Sequence, residues 1–320
     1  MTTRIIGTGH FVPEHIVTND DLAQFLDTSD EWIKERTGIR RRHIDTGMGT
    51  TAMAAEASRR AIENAGISPK EIDLIIAATS TADEIFPNTA AMVQREIGND
   101  RAACYDLNAA CTGFIYGLNT AHAFISSHMA KTVLVVGSET MSRTVDWEDR
   151  STCILFGDGA GAAVVAADDA GIEAVIMGSD GRKGEIIACD GRPAQSRWMS
   201  QAPRNPYMVM NGQEVFKFAV KKVPETIAQL LSQAGVGAEE VRHYILHQAN
   251  ERIIASVAKR LHVPMERFPI NLGEYGNTSA ASVPILLDEL NRNGALKRGD
   301  RVVLAGFGAG LTWGATLMTW

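Results

Sequence analysis

The sequence predicts an α/β fold in two similar halves, with helices layered on strands that are buried on both faces. Three observations carry this. Amphipathic helical stretches alternate with short apolar runs, the pattern of a layered α/β architecture. The apolar runs are continuous rather than alternating, which marks strands covered on both sides. The pattern also repeats. Residues 65–76 (Ala-Gly-Ile-Ser-Pro-Lys-Glu-Ile-Asp-Leu-Ile-Ile) are echoed by residues 234–245 (Ala-Gly-Val-Gly-Ala-Glu-Glu-Val-Arg-His-Tyr-Ile), at an offset of 169 (234 − 65).

In chain order, a first amphipathic helix at 51–64 leads to a strand at Leu74–Ala78. Residues 102–107 read as a strand. Phe114, Ile115, Leu118, Ala121 and Ile125 then fall at helical spacing. Residues 131–137 form the next buried strand, a helix is expected around Cys153, and a glycine-rich turn at 157–161 precedes a strand at 162–167. The second half repeats this: a helix at 215–233, a strand at 244–246, and a strand at 301–306, offset by 170 (301 − 131) from its counterpart. A glycine-rich turn at 306–310 and a strand at 314–319 close the chain. The halves are 1–169 and 170–320. A shared site is expected at their junction, at strand ends, bringing residues near 111 close to residues near 247, 277 and 309.

The chain has 320 residues, 45% of them hydrophobic, enough for a large core. The net charge of −7 argues against a nucleic-acid binder. No apolar run reaches membrane-spanning length. The start, Met-Thr-Thr-Arg followed by Ile-Ile-Gly-Thr-Gly, has no signal-peptide character, so the expected location is cytoplasmic.

Four cysteines, Cys104, Cys111, Cys153 and Cys189, form no Cys-x-x-Cys pair, so neither a metal nor a redox motif is expected. Most free cysteines are small buried hydrophobes. Cys104 falls in a strand and Cys189 in a loop beside Asp190. Cys111 is different. It lies at a strand-to-helix turn in Asp106-Leu-Asn-Ala-Ala-Cys-Thr-Gly-Phe-Ile-Tyr-Gly-Leu118, among small neighbours that leave room for a substrate. Unpaired N–H groups and the positive helix end are expected to lower its thiol pKa.

His247 ends an apolar strand, where α/β sites form, and Asn277 sits in a glycine-containing turn. Singly, each reads as a core histidine or a helix cap. Together with Cys111 they fit a Cys-His-Asn site. At this point the chain resembles the β-ketoacyl-[acyl-carrier-protein] synthase III family of bacterial fatty-acid synthesis, in the thiolase-fold superfamily. The likeness rests on Thr28-Ser-Asp-Glu-Trp-Ile-Lys-Glu-Arg-Thr-Gly38, Ala109-Ala-Cys-Thr-Gly-Phe114, Phe156-Gly-Asp-Gly-Ala-Gly161, His247-Gln-Ala-Asn250, Tyr275-Gly-Asn-Thr-Ser279 and Gly306-Phe-Gly-Ala-Gly310.

The resemblance implies a five-layered α-β-α-β-α thiolase fold and a homodimer. It implies that Cys111 takes an acyl group from acyl-CoA, and that His247 and Asn277 stabilise the enolate of a decarboxylating malonyl-[acyl-carrier-protein]. No metal or redox cofactor is expected; CoA arrives as substrate carrier. The backbone N–H groups of Cys111 and Ala309 are the expected oxyanion donors, Ala309 standing where related chains often have glycine. Trp32 and Arg150 are expected to stack on the CoA adenine, with Thr28, Arg36, Gly212, Phe216 and Asn250 around the same pocket. Phe86 is expected to close the far end of a partner's acyl pocket, favouring acetyl-CoA. Lys217, Arg252, Lys259 and Arg260 are candidates for docking the acidic carrier protein.

The alternatives are a thiolase-fold acyltransferase or a polyketide- or quinolone-type synthase acting on another acceptor, and a non-catalytic acyl-binding subunit. A papain-type hydrolase also uses Cys, His and Asn, but its Cys-Gly-Ser-Cys-Trp signature is absent.

Overall fold

The computed structural model describes residues 2–191, 198 and 205–320. The chain opens with β1 (Thr2–Phe11). A short ribbon of β2 (Ile16–Thr18) and β3 (Arg41–His43) brackets α1 (Asn19–Ala23) and α2 (Asp30–Thr37). The hydroxyls of Thr18 and Ser29 cap these two helices. Then come α3 (Thr50–Ala65), β4 (Leu74–Ala78), α4 (Thr89–Ile97), β5 (Ala103–Leu107), α5 (Gly113–Ser126), β6 (Thr132–Thr140) and β7 (Asp158–Asp168). The second half begins with β8 (Ile172–Ser179), the small ribbon of β9 (Ile187–Cys189) and β10 (Met208–Met210), and α6 (Gly212–Ala234). It continues through β11 (Val241–Leu246), α7 (Glu251–Leu261), α8 (Leu272–Tyr275), α9 (Ser282–Arg292), β12 (Arg301–Gly308) and β13 (Thr312–Thr319).

The strands form two principal sheets, ordered β1-β7-β6-β4-β5 and β11-β12-β13-β8. Read in reverse, β8-β13-β12-β11 matches β1-β7-β6-β4 in both order and direction. In each, the first three strands pair antiparallel and the last pair is parallel. The core positions of β4 and β6 are buried on both faces, as their unbroken apolar runs require. Helix α3 packs on β1, β7 and β6, with α4 beside it, and α6 packs on β13, β8 and β12, with α7 beside it. Helices α5 and α9 touch strands of both sheets and form the middle layer. Five layers result.

The duplication is most explicit where the site forms. A 3₁₀ turn at Ala110–Thr112 precedes α5 and another at Ser279–Ala281 precedes α9, an offset of 169 (279 − 110). Each turn starts on a non-glycine residue in the left-handed region, Ala110 at φ 46° and Ser279 at φ 50°. The two turns pack against each other. Each is also supported by the other half's central strand. A side chain at Gly306 of β12 would stand 3.4 Å from the Cys111 carbonyl oxygen, and one at Gly137 of β6 would stand 2.4 Å from that of Ala280.

Two local expectations fail. Cys153 lies in turns rather than a helix, because Asp149 accepts hydrogen bonds from the Ser151 N–H and hydroxyl and from the Thr152 hydroxyl. Cys189 ends β9 instead of lying in a loop, since Met208 pairs with it across the ribbon.

Candidate active site

Cys111 is the middle residue of the turn that joins β5 to α5. Gly308 presses on it from β12: a side chain there would meet the Cys111 N, Cβ and Cα at 2.9, 3.0 and 3.3 Å, so only glycine fits. The Thr312 hydroxyl ties the surrounding loops together. It lies 2.9 Å from the Thr112 hydroxyl, 3.3 Å from the Ala109 carbonyl and 2.9 Å from the Ala309 carbonyl. The two turns bearing the expected oxyanion donors, Cys111 and Ala309, are thereby held in one frame. The expected low thiol pKa is not found. Burial pushes the Cys111 thiol up to about 12, Glu139 adds to the rise, and a hydrogen bond with Ser279 opposes it. At this turn, loss of water outweighs the helix end.

His247 follows β11, its backbone N–H bonded to the Ala305 carbonyl of β12. The imidazole is 2% exposed and packs edge-on against Phe307. Its Nδ1 lies 2.7 Å from Ser282 Oγ, and that oxygen accepts a hydrogen bond from the Gln248 N–H. The Ser282 hydroxyl can donate to Nδ1, and the imidazole tautomer that accepts this bond carries its proton on Nε2. Burial drives the His247 pKa down to about 3, so the ring is neutral in ordinary buffers.

Asn277 is pinned through its backbone, donating to the Leu155 carbonyl and accepting from the Gly157 N–H. Its Oδ1 accepts from the Ser279 N–H, which leaves the Nδ2 amide as the donor end. Gly276 makes the approach possible, at φ 65° with a side chain there only 2.9 Å from the Leu155 carbonyl oxygen.

Cys111, His247, Asn277 and Ala309 all line one cavity of about 630 Å³, together with Gly212, Phe216 and Asn250. The other expected CoA contacts lie outside its walls. Arg36 and Arg150 sit over the Trp32 ring, 4.6 and 5.3 Å from its centroid, and Arg150 also bonds the Asp27 carbonyl. The Thr28 hydroxyl is buried without a hydrogen-bond partner. Asn250 is already committed at both ends, donating to the Arg36 carbonyl and capping α7 at the Arg252 N–H. Arg252, Lys259 and Arg260 are exposed along α7, and the Arg252 guanidinium lies 5.7 Å from the Phe216 ring at the cavity wall. Lys217 is paired with Glu214 at 2.7 Å, which mutes its charge. Phe86 is 83% exposed and lines no part of this chain's cavity. Among the described residues, no cluster of three or more His, Cys, Asp or Glu side chains is placed to hold a metal ion, and no helix is long and apolar enough to cross a membrane.

Comparison with known proteins identifies the family. Residues 105–181 match the family described as 3-oxoacyl-[acyl-carrier-protein (ACP)] synthase III, and residues 231–320 match its C-terminal counterpart. A beta-ketoacyl-[acyl-carrier-protein] synthase III from Clostridium acetobutylicum is 47% identical over 321 residues, covering 100% of this chain and 99% of the relative. The chain belongs to the synthase III family. The crystal structure of the Aquifex aeolicus 3-oxoacyl-[acyl-carrier-protein] synthase III superposes with a TM-score of 0.94 at 46% identity, covering 99% of this chain and 100% of that one. The Pseudomonas aeruginosa enzyme gives 0.93 at 42% identity, covering 100% and 98%. This synthase III is a condensing acyltransferase of thiolase fold.

Sequence reasoning missed four side chains that organise the synthase III site: Ser282 behind His247, Thr312 between the loops, Ser279 beside Cys111, and Glu139. Ser279 closes a motif that was visible. The others carry no local pattern, because each acts through partners far away in sequence.

Proposed function

We propose that this synthase III joins an acyl group from acyl-CoA to malonyl-[acyl-carrier-protein] with loss of CO₂, the condensation that initiates fatty-acid synthesis. The observation that carries this is the meeting of Cys111, neutral His247 and Asn277 around one cavity. Cys111 attacks the thioester carbonyl, and the tetrahedral oxyanion points at the N–H groups of Cys111 and Ala309. CoA leaves and the acyl group stays on sulfur. Malonyl-carrier-protein then loses CO₂, and the enolate oxygen is held by His247 Nε2–H and Asn277 Nδ2–H. A neutral imidazole suits this role, because it donates without giving up its proton. The enolate carbon attacks acyl-Cys111 and releases the 3-ketoacyl product. The test is mass spectrometry after mixing with acetyl-CoA alone: one acetyl group on Cys111 supports the proposal, and continuous turnover to free acetate refutes it.

The mouth residues fit a nucleotide carrier. A purine between Trp32 and Arg150 needs two contacts of ~3.5–4.0 Å, more than the 5.3 Å now separating them. Arg150 therefore moves outward when the adenine enters. The reading extends to a division into halves at 1–169 and 170–320, to a homodimer and to a cytoplasmic setting.

Arg252 marks where the carrier protein docks, since it touches the cavity wall through Phe216 while its charge faces solvent. Arg252→Glu should raise the KM for malonyl-carrier-protein by about 10-fold at low salt and leave acylation by acyl-CoA unchanged. An unaltered KM removes Arg252 from the docking surface.

Phe86 stands on an exposed loop next to Ile85, itself 68% exposed. In the homodimer this ring fills the end of the partner's acyl pocket. Overfilling costs ~1–3 kcal/mol, against ~0.8 kcal/mol gained for each buried CH₂, so long chains are excluded and acetyl-CoA is preferred. Phe86→Thr should shift the ratio of kcat/KM values toward four-carbon and branched acyl-CoAs by roughly 10-fold. A parent enzyme that already prefers branched primers overturns the assignment.

A further inference from the structure

Arg42, the middle residue of β3, is 0% exposed, a rare setting for a guanidinium. Its hydrogen bonds go to neutral oxygens. Nη1 donates to the Val17 carbonyl at 3.2 Å, and Nη2 donates to Asn19 Oδ1 at 2.9 Å and to the Ile154 carbonyl at 2.8 Å. Nε is buried without a hydrogen-bond partner. Burial pushes the Arg42 pKa down to about 10, which leaves the group charged in neutral buffer. Burying a cation without a carboxylate beside it is costly, and a leucine or methionine would fill the space without that cost. What an apolar filler cannot do is bind three acceptors at once. The planar fork does, and it joins the segment before α1 to the segment before β7.

The second of these segments is the seat of Asn277. Ile154 is followed by Leu155, whose carbonyl accepts the Asn277 N–H at 2.8 Å, and Gly157 donates its N–H to the Asn277 carbonyl at 3.1 Å. The stem of Arg42 touches the same seat. A side chain at Gly157 would stand 3.0 Å from Arg42 Cβ, and one at Gly276 would stand 3.5 Å from it. The neighbours of Arg42 extend the contact along the turn. The Arg40 N–H donates to the Gly273 carbonyl at 3.0 Å, Arg41 pairs with Glu274 at 2.6 Å, and the His43 ring lies 5.4 Å from that of Tyr275. Residues 40–43 thus run beside residues 273–276, the approach to Asn277.

The other two members of the site are held elsewhere. The Cys111 turn is fixed by Gly308 and Thr312, and His247 by the Ala305 carbonyl and Ser282. None of these four lies in β3. A displacement of Arg42 therefore reaches the site through Asn277. The Asn277 side chain follows such a shift, because its Oδ1 is tied to the Ser279 N–H within the same short turn.

We propose that Arg42 is a positioning residue for Asn277. Its fork holds the Ile154 carbonyl, its stem packs beside Gly157 and Gly276, and together they set the height of the Asn277 amide over the cavity. The link also has a far end. Asn19 donates to Asp30 Oδ1 at 3.0 Å, and Asp30 opens α2, the helix that carries Trp32. The mouth of the site and its enolate donor are thereby built on one frame. Arg42 touches no substrate and takes no proton; it acts only on where Asn277 stands.

The inference rests on the reading of Asn277 as an enolate donor, and the experiment separates the two. Two half-reactions are followed: CoA release from acetyl-CoA, and CO₂ release from malonyl-carrier-protein. Arg42→Lys keeps the charge but not the fork, and Arg42→Met keeps neither. Both should lower kcat for CO₂ release by about 30-fold, while the KM for malonyl-carrier-protein and the CoA burst stay within about two-fold of the wild type. In an Asn277→Ala background, Arg42→Lys should add no further loss, because the group it positions is gone. A purely structural role gives a different result: both half-reactions fall together, in step with the thermal melt. Equal loss in the two half-reactions therefore overturns the proposal, and so does wild-type CO₂ release in folded Arg42→Lys. If neither Arg42 variant folds, Asn19→Ala decides the matter, since it removes one acceptor of the fork and leaves the guanidinium in place. CO₂ release about 5-fold slower with a normal CoA burst supports the proposal, and unchanged release overturns it. Normal CO₂ release in Asn277→Ala refutes the donor reading and the positioning with it. Slow release in Asn277→Ala beside normal release in Arg42→Lys refutes the positioning alone.

Discussion

Cys111→Ala is expected to eliminate acyl transfer and condensation together while the protein folds normally. The loss should be on the order of 10⁶-fold, the scale seen when a covalent nucleophile is removed from a site whose members act as a unit. Folding is spared because alanine keeps the Cβ that Gly308 packs against. The turn is also held by contacts the substitution does not touch, namely the Thr112–Thr312 hydroxyl pair and the support of Gly306. The checks are intact-protein mass after acetyl-CoA, product formation with malonyl-carrier-protein, and a thermal melt. Acetylation of Cys111→Ala at a single site would remove Cys111 from its role.

The second large effect concerns the two donors. His247→Ala and Asn277→Ala should each slow decarboxylation and condensation by about 10²–10³-fold, the cost of losing one preorganised donor to a developing oxyanion. The CoA-release burst should be much less affected, because neither side chain acts on the first thioester in the proposed sequence. Measuring CoA release and CO₂ release separately gives the answer, and normal CO₂ release in both variants would refute the roles.

His247 also gives a stability signature. Its folded pKa of about 3 lies below the ordinary 6.5, so the unfolded chain binds a proton that the folded chain refuses. Stability therefore falls as pH drops below 6.5, by about 1.4 kcal/mol per unit, or ~2 kcal/mol between pH 6.5 and 5. Denaturant titrations at those two pH values should show this loss in the wild type and a smaller one in His247→Ala. Equal losses would mean that the ring is not buried as a neutral base.

The fold was legible because the duplication keeps one spacing. Strands covered on both faces leave continuous apolar runs, and two sets of them 169 residues apart describe two matching sheets. Boundaries were less legible. Strand β13 begins at Thr312, two residues before the expected start, and β9 with β10 is too short to leave a pattern. At the site, Cys111, His247 and Asn277 stand in recognisable motifs at the ends of elements. What surrounds them does not. Glu139 follows an apolar run and reads as an ordinary strand end, because its donors come from Thr79 to Thr81 and from Ser279, 140 residues away. The thiol pKa was misjudged for a related reason: a helix start can be seen in one segment, whereas desolvation depends on every segment that closes over it.

The two strained turns that meet in the middle layer are unequal partners. An offset of 169 residues makes Ala110–Thr112 and Ser279–Ala281 counterparts, facing one another where the halves meet. The position matching Cys111 is Ala280, which carries no chemistry of its own. Residues near it serve the site: Ser279 lines the cavity with Cys111, and Ser282 orients the histidine. The turn without a nucleophile is the support of the turn that carries one.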